Sequence, residues 1–354
     1  MEITLEEISQ MPAQWLRDNC ECVDCRHPRN GQRLRSVLEL PDDVATIGSR
    51  EFERIFEFEF SDGHLGRIHR DAIERALNGP FDPRCELSKV LWDASLNILY
   101  RFDWNDYLAN PQVKASALSM VISHGFCILR GAPTHRGEIL KIVETFGFVR
   151  TTNYGDLFDV RVEADPNNLA FTSLAIMPHT DNPYRNPVPT IQLLHCLETT
   201  VEGGESGLVD GFLVASTLRE IDPDSFDILT STNFLFKYES ATVDLQSHSP
   251  IIELTAEGQI TGIRWNDRSI SPPLEPENSI EIFGAMRAFA KIANDPEMEI
   301  KFRLEPGDCV IFDNTRLLHS RTAFESTGSR HLQGAYADLD SLLSTLAVMN
   351  RSKA

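Results

Sequence analysis

The residues of this chain best suited to metal chemistry lie near its middle, in His179-Thr180-Asp181, with Pro178 and Pro183 on either side. One imidazole and one carboxylate at that spacing can reach the same metal ion from a single strand or turn. We expect the third ligand to be His319, which follows an apolar strand and a turn far down the chain. Two histidines and one carboxylate on one face of a metal leave three positions open, as in non-haem Fe(II) oxygenases.

Arg330 follows His319 closely and suggests a cosubstrate. A guanidinium fork fits a carboxylate with two parallel hydrogen bonds. It could therefore hold the far carboxylate of a dicarboxylic acid whose other end chelates the metal. Without the ligands at 179 and 181, a surface arginine would be the simpler interpretation. The same three ligands could hold Zn²⁺ and a hydrolytic water, but Arg330 would then serve no purpose.

A second cluster, Cys20, Cys22 and Cys25, places three thiols in one loop near the N-terminus. Thiolates this close can all bind one Zn²⁺, which prefers four sulfur and nitrogen ligands in a tetrahedron. His64, in a turn after a strand-like run, is our choice for the fourth ligand, with His27 and His69 as alternatives. Such a closed site would support folding and not catalysis. The alternative is three reduced cysteines in a polar loop without metal.

Composition excludes several classes of partner. The chain is 42% hydrophobic and 24% charged, with a formal net charge of −20. Nucleic acid and anionic membranes are poor partners for such a surface, whereas a cationic small substrate would be attracted to it. No apolar run is long enough to span a bilayer, and the acidic N-terminus does not look like a targeting peptide. We therefore expect a cytoplasmic protein.

Hydrophobic patterning predicts two domains, residues 1–90 and 91–354. The first looks like a small β-rich zinc-binding module, with strands at 33–40 and 52–60 and a helix at 71–78. The second is expected to be mainly β with flanking helices, a jelly roll, because many short apolar runs alternate with turn residues. We expect helices in this domain at 111–124, 134–146 and 279–294, and strands at 126–130, 191–197, 207–212, 300–304 and 309–312. His195 is expected to be a core histidine with one hydrogen bond, and His248 and His331 are weaker ligand candidates.

Several motifs together resemble a known family. They are Trp15-Leu16-Arg17-Asp18-Asn19-Cys20, His179-Thr180-Asp181-Asn182-Pro183-Tyr184, Leu193-Leu194-His195-Cys196, Gly203-Gly204-Glu205-Ser206, Val209-Asp210-Gly211-Phe212 and Arg330-His331-Leu332-Gln333-Gly334-Ala335-Tyr336-Ala337-Asp338. The chain resembles the Fe(II)/2-oxoglutarate dioxygenases of the taurine dioxygenase superfamily. It is most similar to the γ-butyrobetaine dioxygenase group, which includes trimethyllysine hydroxylases and bacterial enzymes acting on trimethylaminoethylphosphonate.

The resemblance implies a double-stranded β-helix catalytic domain, a small zinc-binding N-terminal domain and a homodimer. Iron would be bound by His179, Asp181 and His319, with 2-oxoglutarate on Arg330 and Ser206. Structural zinc would lie on Cys20, Cys22, Cys25 and His64. O2 is the other substrate, and ascorbate is expected to stimulate turnover.

The resemblance also implies an aromatic cage for a trimethylammonium group, because ring faces attract a cation that cannot donate hydrogen bonds. The matching positions are Tyr154, Phe158, Phe171, Tyr184 and Tyr336. Phe158 and Phe171 depart from the butyrobetaine enzymes, which carry larger or hydroxylated rings there. The positions facing the anionic end are Asn168, Asn266 and Arg268, and Arg268 suits a doubly charged phosphonate better than a carboxylate. The alternatives are a trimethyllysine hydroxylase and a non-catalytic jelly-roll binding protein.

Overall fold

A computed structural model describes residues 4–78, 87–162, 172–274, 279–325 and 328–351. The chain divides into two compact units, Met1–Asp82 and Pro83–Ala354. Within the described residues, no helix combines the length and the apolar character that a membrane span would need.

The N-terminal unit is a three-stranded antiparallel sheet with short helices. Its helices are α1 (Leu5–Ser9), α2 (Ala13–Asp18) and α3 (Arg70–Asn78), with a 3-10 turn at Val37–Glu39, and its strands are β1 (Thr46–Phe52), β2 (Ile55–Phe60) and β3 (Leu65–His69). Strand β2 lies in the middle of the sheet, and its Phe56, Phe58 and Phe60 are buried in the core of this unit. Because β2 and β3 form a hairpin, the turn that joins them brings His64 back over the sheet.

Two predicted strands of this unit need correction. Residues 33–40 form no strand, because Ser36 and Glu39 make a reciprocal capping box that winds the segment into the 3-10 turn. The predicted strand at 52–60 is two strands, since β1 ends at Phe52 and β2 begins at Ile55. The predicted helix at 71–78 is confirmed as α3.

The second unit contains two main sheets. The six-stranded sheet has the order β4-β5-β16-β8-β18-β6, and the four-stranded sheet has the order β15-β9-β17-β7. Their strands are β4 (Arg101–Asp103), β5 (Phe126–Arg130), β6 (Phe158–Val160), β7 (Ile176–His179), β8 (Ile191–Thr199), β9 (Ser206–Asp210), β15 (Glu299–Phe302), β16 (Cys309–Asp313), β17 (Leu317–Arg321) and β18 (Arg330–Ala337). Smaller sheets join β10 (Phe234–Glu239) to β11 (Asp244–Ser249) and β14 (Ile270–Ser271), and β12 (Ile252–Leu254) to β13 (Ile260–Ile263).

Apolar side chains on both faces of the six-stranded sheet explain its continuous hydrophobic runs. In β5, Phe126 and Ile128 pack toward Leu208 and Phe302 of the four-stranded sheet. The alternate residues of β5 pack against the helices on the other face. Helices are α4 (Trp104–Ala109), α5 (Pro111–Ser123), α6 (Glu138–Glu144), α7 (Gly211–Ile221), α8 (Pro223–Ser231), α9 (Ser279–Ala293) and α10 (Leu339–Arg351), with a 3-10 turn at Pro296–Met298.

Most predicted elements of this unit are present, with two shortened. The helix predicted at 134–146 is limited to Glu138–Glu144, because Gly137 precedes it in the left-handed conformation. The strand predicted at 207–212 ends at Asp210, whose carboxylate accepts a hydrogen bond from the Phe212 amide and starts α7. That change of direction places Gly211 at the beginning of a helix and not inside the sheet.

Candidate active site and metal centres

Pairing of β17 with β7 brings two distant histidines together. His319 and His179 occupy opposite positions in this antiparallel pair, and their ring centres lie 4.1 Å apart. Asp181 follows two residues beyond His179, with its Oδ1 3.4 Å from His179 Nε2 and its Oδ2 3.8 Å from His319 Nε2. One donor atom from each of the three residues lies within 4.8 Å of the others. The spacing suits a single metal ion.

The protonation of these groups fits a divalent ion. The Nδ1 of His179 donates to the Met177 carbonyl at 2.9 Å, which leaves Nε2 as the free lone pair. Burial and the neighbouring His179 lower the pKa of His319 to about 3, so its imidazole is neutral. Asp181 adds a carboxylate as the anionic donor of the cluster. Two imidazoles and one carboxylate are the donor set that Fe(II) takes in oxygenases.

Asn314 fixes the backbone that carries Asp181. Its side-chain amide accepts from the Asp181 amide at 2.8 Å and donates to the Asp181 carbonyl at 3.0 Å and to the Pro189 carbonyl at 2.9 Å. Asn314 is 1% exposed, so these bonds are shielded from water. The sequence did not single out this residue, although it lies in the turn immediately after β16.

A cavity of about 370 Å³ opens beside the three donors. Its charged lining residues are four basic side chains and one acidic one, namely Lys237, Arg268, Arg321, Arg330 and Asp181. Lys237 is ion-paired with Glu239 and Asp244, and Asp181 belongs to the donor cluster. The three arginines therefore make the rest of the cavity positive. The chain as a whole is acidic, so this positive lining is local and indicates an anionic ligand.

Arg330 lies at the inner end of this lining, at the start of β18. Burial lowers its pKa to about 10, which still leaves it protonated at neutral pH. Gly203 and Gly204, both with positive φ, pass close beneath it: a Cβ on Gly204 would lie 3.1 Å from the Arg330 Nε, and one on Gly203 only 2.4 Å from the Ala323 carbonyl. Ser206, which is 9% exposed, lines the same cavity. Gly204 therefore gives the buried guanidinium its room, and Gly203 allows the close approach of the Ala323 carbonyl.

Aromatic rings form an arc along the cavity. Phe158 stacks on Tyr336 with ring centres 5.2 Å apart, and Tyr154 lies 5.9 Å from Phe158. Tyr238, which the sequence analysis missed, extends the arc because it lies 6.0 Å from Tyr154 and stacks on Tyr184 at 5.2 Å. The predicted Phe171 and Asn168 lie outside the described residues.

Three polar residues define the rest of the wall. Asn266 lines the cavity, but its amide already donates to the Thr180 carbonyl and accepts from the Arg268 backbone. It therefore holds the turn that presents Arg268, whose guanidinium has no ion-pair partner among the described residues. Asn182 is 2% exposed and also lines the cavity. Neither polar atom of its side chain has a partner in the described part of the chain. The sequence analysis did not select Asn182 for this role.

The second cluster lies in the N-terminal unit. The Nε2 of His64 is 3.3, 3.6 and 3.5 Å from the sulfur atoms of Cys20, Cys22 and Cys25, respectively. Arg17 lies behind them and is 4% exposed; it donates to Asp62 at 2.8 Å and to the Cys25 sulfur at 3.4 Å. Burial raises the pKa of the Cys20 thiol to about 12, whereas a buried cation beside the sulfur atoms lowers the cost of the negative charge that a zinc-bound thiolate carries. The alternative ligands His27 and His69 are not members of the cluster.

The remaining candidate histidines lie elsewhere. His331 bonds to Asp159 at 2.8 Å, and His248 is exposed on β11. His195 is fully buried, as expected of a core residue, and burial lowers its pKa to about 4. The prediction that it makes one hydrogen bond is wrong, because neither ring nitrogen has a partner among the residues that the structure describes.

Comparison with known proteins identifies the class. The taurine catabolism dioxygenase TauD, TfdA family matches residues 86–336, and the gamma-butyrobetaine hydroxylase-like N-terminal family matches residues 1–70. Gamma-butyrobetaine dioxygenase of Homo sapiens is 33% identical over 98% of this chain and 92% of its own length. Trimethyllysine dioxygenase of Meyerozyma guilliermondii is 30% identical over 95% of this chain and 89% of its own length.

A solved structure of the non-heme iron oxygenase OrfP, in complex with Fe, succinate and a dihydroxy-L-arginine, is similar in fold. Its TM-score is 0.51 at 14% identity, over 66% of this chain and 81% of that chain. The chain therefore belongs to the TauD, TfdA family. It is an Fe(II)- and 2-oxoglutarate-dependent dioxygenase, as the sequence motifs predicted.

Proposed function

We propose that the protein hydroxylates a C–H bond of a small trimethylammonium compound with an anionic tail. The observation that carries this proposal is a cavity beside the His179, Asp181 and His319 cluster that combines an aromatic arc with two arginines, Arg268 and Arg330, which have no ion-pair partner among the described residues. Iron and 2-oxoglutarate, when bound, supply the oxidation: 2-oxoglutarate loses CO2 and takes one oxygen atom of O2 to become succinate, and the other enters the substrate. The chain's own residues bind and orient the substrate and the cosubstrate, and they exclude water from the site.

Arg330 is proposed to hold the far carboxylate of 2-oxoglutarate, with help from Ser206. Arg330 is 9% exposed, and its guanidinium forms no hydrogen bond or ion pair with the described residues, so the fork is available to a ligand. A planar fork makes two parallel bonds to a carboxylate, whereas a lysine ammonium makes a point contact.

Arg330→Lys should raise the KM for 2-oxoglutarate by roughly 10- to 100-fold, since a charge-assisted hydrogen bond is worth about 1.5–3 kcal/mol. Metal affinity should stay unchanged, because Arg330 is not in the donor cluster. Steady-state succinate release against 2-oxoglutarate concentration, with a parallel metal titration, measures both. An unchanged KM would remove Arg330 from the cosubstrate site.

The aromatic arc is proposed to bind the trimethylammonium head of the substrate. Arg268 and Asn182 are proposed to bind its anionic tail. Tyr154, Phe158, Tyr184, Tyr238 and Tyr336 offer ring faces to a cation that cannot donate hydrogen bonds. The charges of Fe(II) and of the 2-oxoglutarate dianion cancel, Arg330 is assigned to the cosubstrate, and Lys237 is ion-paired with Glu239. Arg268 therefore remains for the tail, and the charge of Arg321 adds to the positive potential of the cavity. This positive charge favours the doubly charged phosphonate of 2-trimethylaminoethylphosphonate over the carboxylate of γ-butyrobetaine.

Two alternatives are less well supported by the site. Trimethyllysine carries an α-amino group that needs an acceptor, and Asp181 is the one acidic residue among the described lining residues. A non-catalytic binding protein has no need of the three donors and Arg330. The two-sheet core is proposed to be the double-stranded β-helix of the family. The homodimer remains a prediction, which light scattering can test.

The four-ligand cluster of the N-terminal unit is proposed to hold structural Zn(II). Three sulfur atoms and one imidazole make a closed tetrahedral set with no position left for a substrate.

Succinate release with Fe(II), 2-oxoglutarate and ascorbate tests the substrate assignment. The panel is 2-trimethylaminoethylphosphonate, γ-butyrobetaine, trimethyllysine, choline as a head without an anionic tail, and 3,3-dimethylbutylphosphonate as a tail with a neutral head. We expect the phosphonate betaine to be best and the two half-matched compounds to be poor. Equal stimulation by choline would contradict the need for an anionic tail.

Arg268→Gln should lower kcat/KM for the phosphonate betaine by about 30- to 100-fold, because a charge-assisted contact of about 2–3 kcal/mol is lost. The loss with γ-butyrobetaine should be smaller, since its tail carries one charge. Arg287→Gln, on the exposed face of α9, is the matched control. Equal losses with both substrates would contradict a role in reading the tail.

A further inference from the structure

The two oxygen atoms of the Asp181 carboxylate have different surroundings. Oδ2 accepts a hydrogen bond from Gln192 Nε2 at 2.8 Å and another from the Tyr336 hydroxyl at 3.0 Å. Oδ1 receives no such bond from outside the donor cluster in the described residues, and its close polar neighbour is His179 Nε2 at 3.4 Å. Both oxygens lie beside a donor nitrogen, since Oδ2 is 3.8 Å from His319 Nε2. Only Oδ2 is also held by hydrogen bonds from outside the donor cluster, which leaves Oδ1 as the oxygen available to a metal.

Gln192 and Tyr336, the two hydrogen-bond donors to Oδ2, are neighbours in the fold. They are directly opposite each other in the antiparallel pairing of β8 with β18. Gln192 is 1% exposed and Tyr336 is 3% exposed. Both are on strands of the six-stranded sheet, so they reach Asp181 from the sheet opposite to the one that carries His179 and His319.

The side-chain amide of Gln192 has a specific hydrogen-bonding role. Its Oε1 is buried and has no partner among the described residues, so Nε2 is the end of the amide that the fold uses. Asn314 already fixes the Asp181 backbone at both its amide and its carbonyl. The freedom that remains to Asp181 is rotation of its carboxylate, which the two donors to Oδ2 restrict.

We propose that Gln192 and Tyr336 hold Asp181 as a one-oxygen metal ligand and so keep a coordination position open for 2-oxoglutarate. The inference rests on the proposed function, because it takes His179, Asp181 and His319 as the iron ligands. A carboxylate can bind a metal through one oxygen or through both. Binding through both would require Oδ2 to leave two charge-assisted hydrogen bonds. Gln192 is thus a positioning residue, and Tyr336 combines this role with its place in the aromatic arc.

The test is a double-mutant cycle on the full chain, loaded with Co(II) and kept free of O2 and substrate. Gln192→Leu, Tyr336→Phe and the double variant are titrated first with the metal and then with 2-oxoglutarate. Each single variant keeps one donor to Oδ2, so we expect losses of 2-oxoglutarate affinity of only a few fold. The double variant should lose about 10-fold or more of its 2-oxoglutarate affinity, which is about 1.4 kcal/mol, because Oδ2 can then compete for the position that 2-oxoglutarate needs. The metal affinity of the double variant should fall by a clearly smaller factor than its 2-oxoglutarate affinity.

Tyr107→Phe is the matched control, since it removes a buried hydroxyl that bonds Thr145 and lies outside the cavity. The inference is overturned if the double variant binds 2-oxoglutarate as the wild type does, or if it loses metal and 2-oxoglutarate affinity equally, as general damage would cause. A wild-type protein that takes up no metal would instead refute the proposed function. The two failures are therefore distinguishable in one set of titrations.

Discussion

Replacement of His319 by alanine should reduce succinate formation to below about 1% of the wild-type rate, because loss of even an outer partner of a metal ligand costs about 10- to 100-fold. His319 supplies one of three donors, and its imidazole is held neutral by burial. Asp181→Ala should have an effect at least as large, since the carboxylate is the one anionic donor. Succinate release and bound metal, measured on the same preparation, check both variants.

His248→Ala is the matched control for this prediction. His248 lies in the same unit, on β11, and is exposed outside the donor cluster. It should keep wild-type metal content and rate. A His319→Ala protein that retained stoichiometric metal and a normal rate would show that the metal is held elsewhere.

Replacement of His64 by alanine should release zinc and unfold the N-terminal unit. Binding of structural zinc contributes about 10–16 kcal/mol in small zinc domains, which is comparable to the roughly 5–15 kcal/mol that stabilises a whole domain. The hydrophobic core of this unit is small, so it cannot replace that contribution. Zinc content and the chemical shifts or amide exchange of residues 4–78 are the measurements, and a strong chelator applied to the wild type should reproduce the result.

His69→Ala and His27→Ala are the controls, since both residues were alternatives for the fourth ligand and both lie outside the cluster. Each should keep one zinc per chain. The assignment of His64 as the fourth ligand would be contradicted if the His64→Ala protein held zinc and stayed folded while the His69→Ala protein lost its zinc.

The donor residues of both clusters were predictable from the sequence because their chemistry is unusual and local. Three cysteines within six residues are rare enough to be noticed. The His-x-Asp spacing alone is a weak signal in a chain with ten histidines and 53 acidic residues, and it gained weight from His319 and Arg330. The third ligand of the His179 and Asp181 cluster was harder to predict. His319 meets His179 only because two strands about 140 residues apart in the chain pair with each other. The position of His319 after an apolar strand and a turn made it the expected ligand, and the resemblance to a family supported that choice.

Residues that act through the tertiary structure were missed. Tyr238 lies between Lys237 and Glu239 at the end of β10, where the sequence gives no local signal for a binding residue. Its ring contacts with Tyr154 and Tyr184 depend on how β10 packs beside the cavity. Gln192 is one polar residue in an apolar strand, and only the facing sheets show that it reaches Asp181. A buried polar residue in an apolar strand was the available signal, since such groups need partners.

The errors in secondary structure also have local causes that the sequence contained. Ser36 and Glu39 have the spacing of a capping box, which overrode the alternating pattern of residues 33–40. Asp210 precedes Gly211 as an N-cap, a signal for a helix that the apolar run concealed. Both cases show short-range capping outweighing hydrophobic periodicity at the end of an element.

The most direct test of the central claim is turnover under ¹⁸O2 with 2-trimethylaminoethylphosphonate as substrate. The account predicts equal amounts of succinate and of a hydroxylated product, with one ¹⁸O atom in each. Iron-loaded protein that releases no succinate with any trimethylammonium compound, or that releases it without an ¹⁸O-labelled product, would contradict the account.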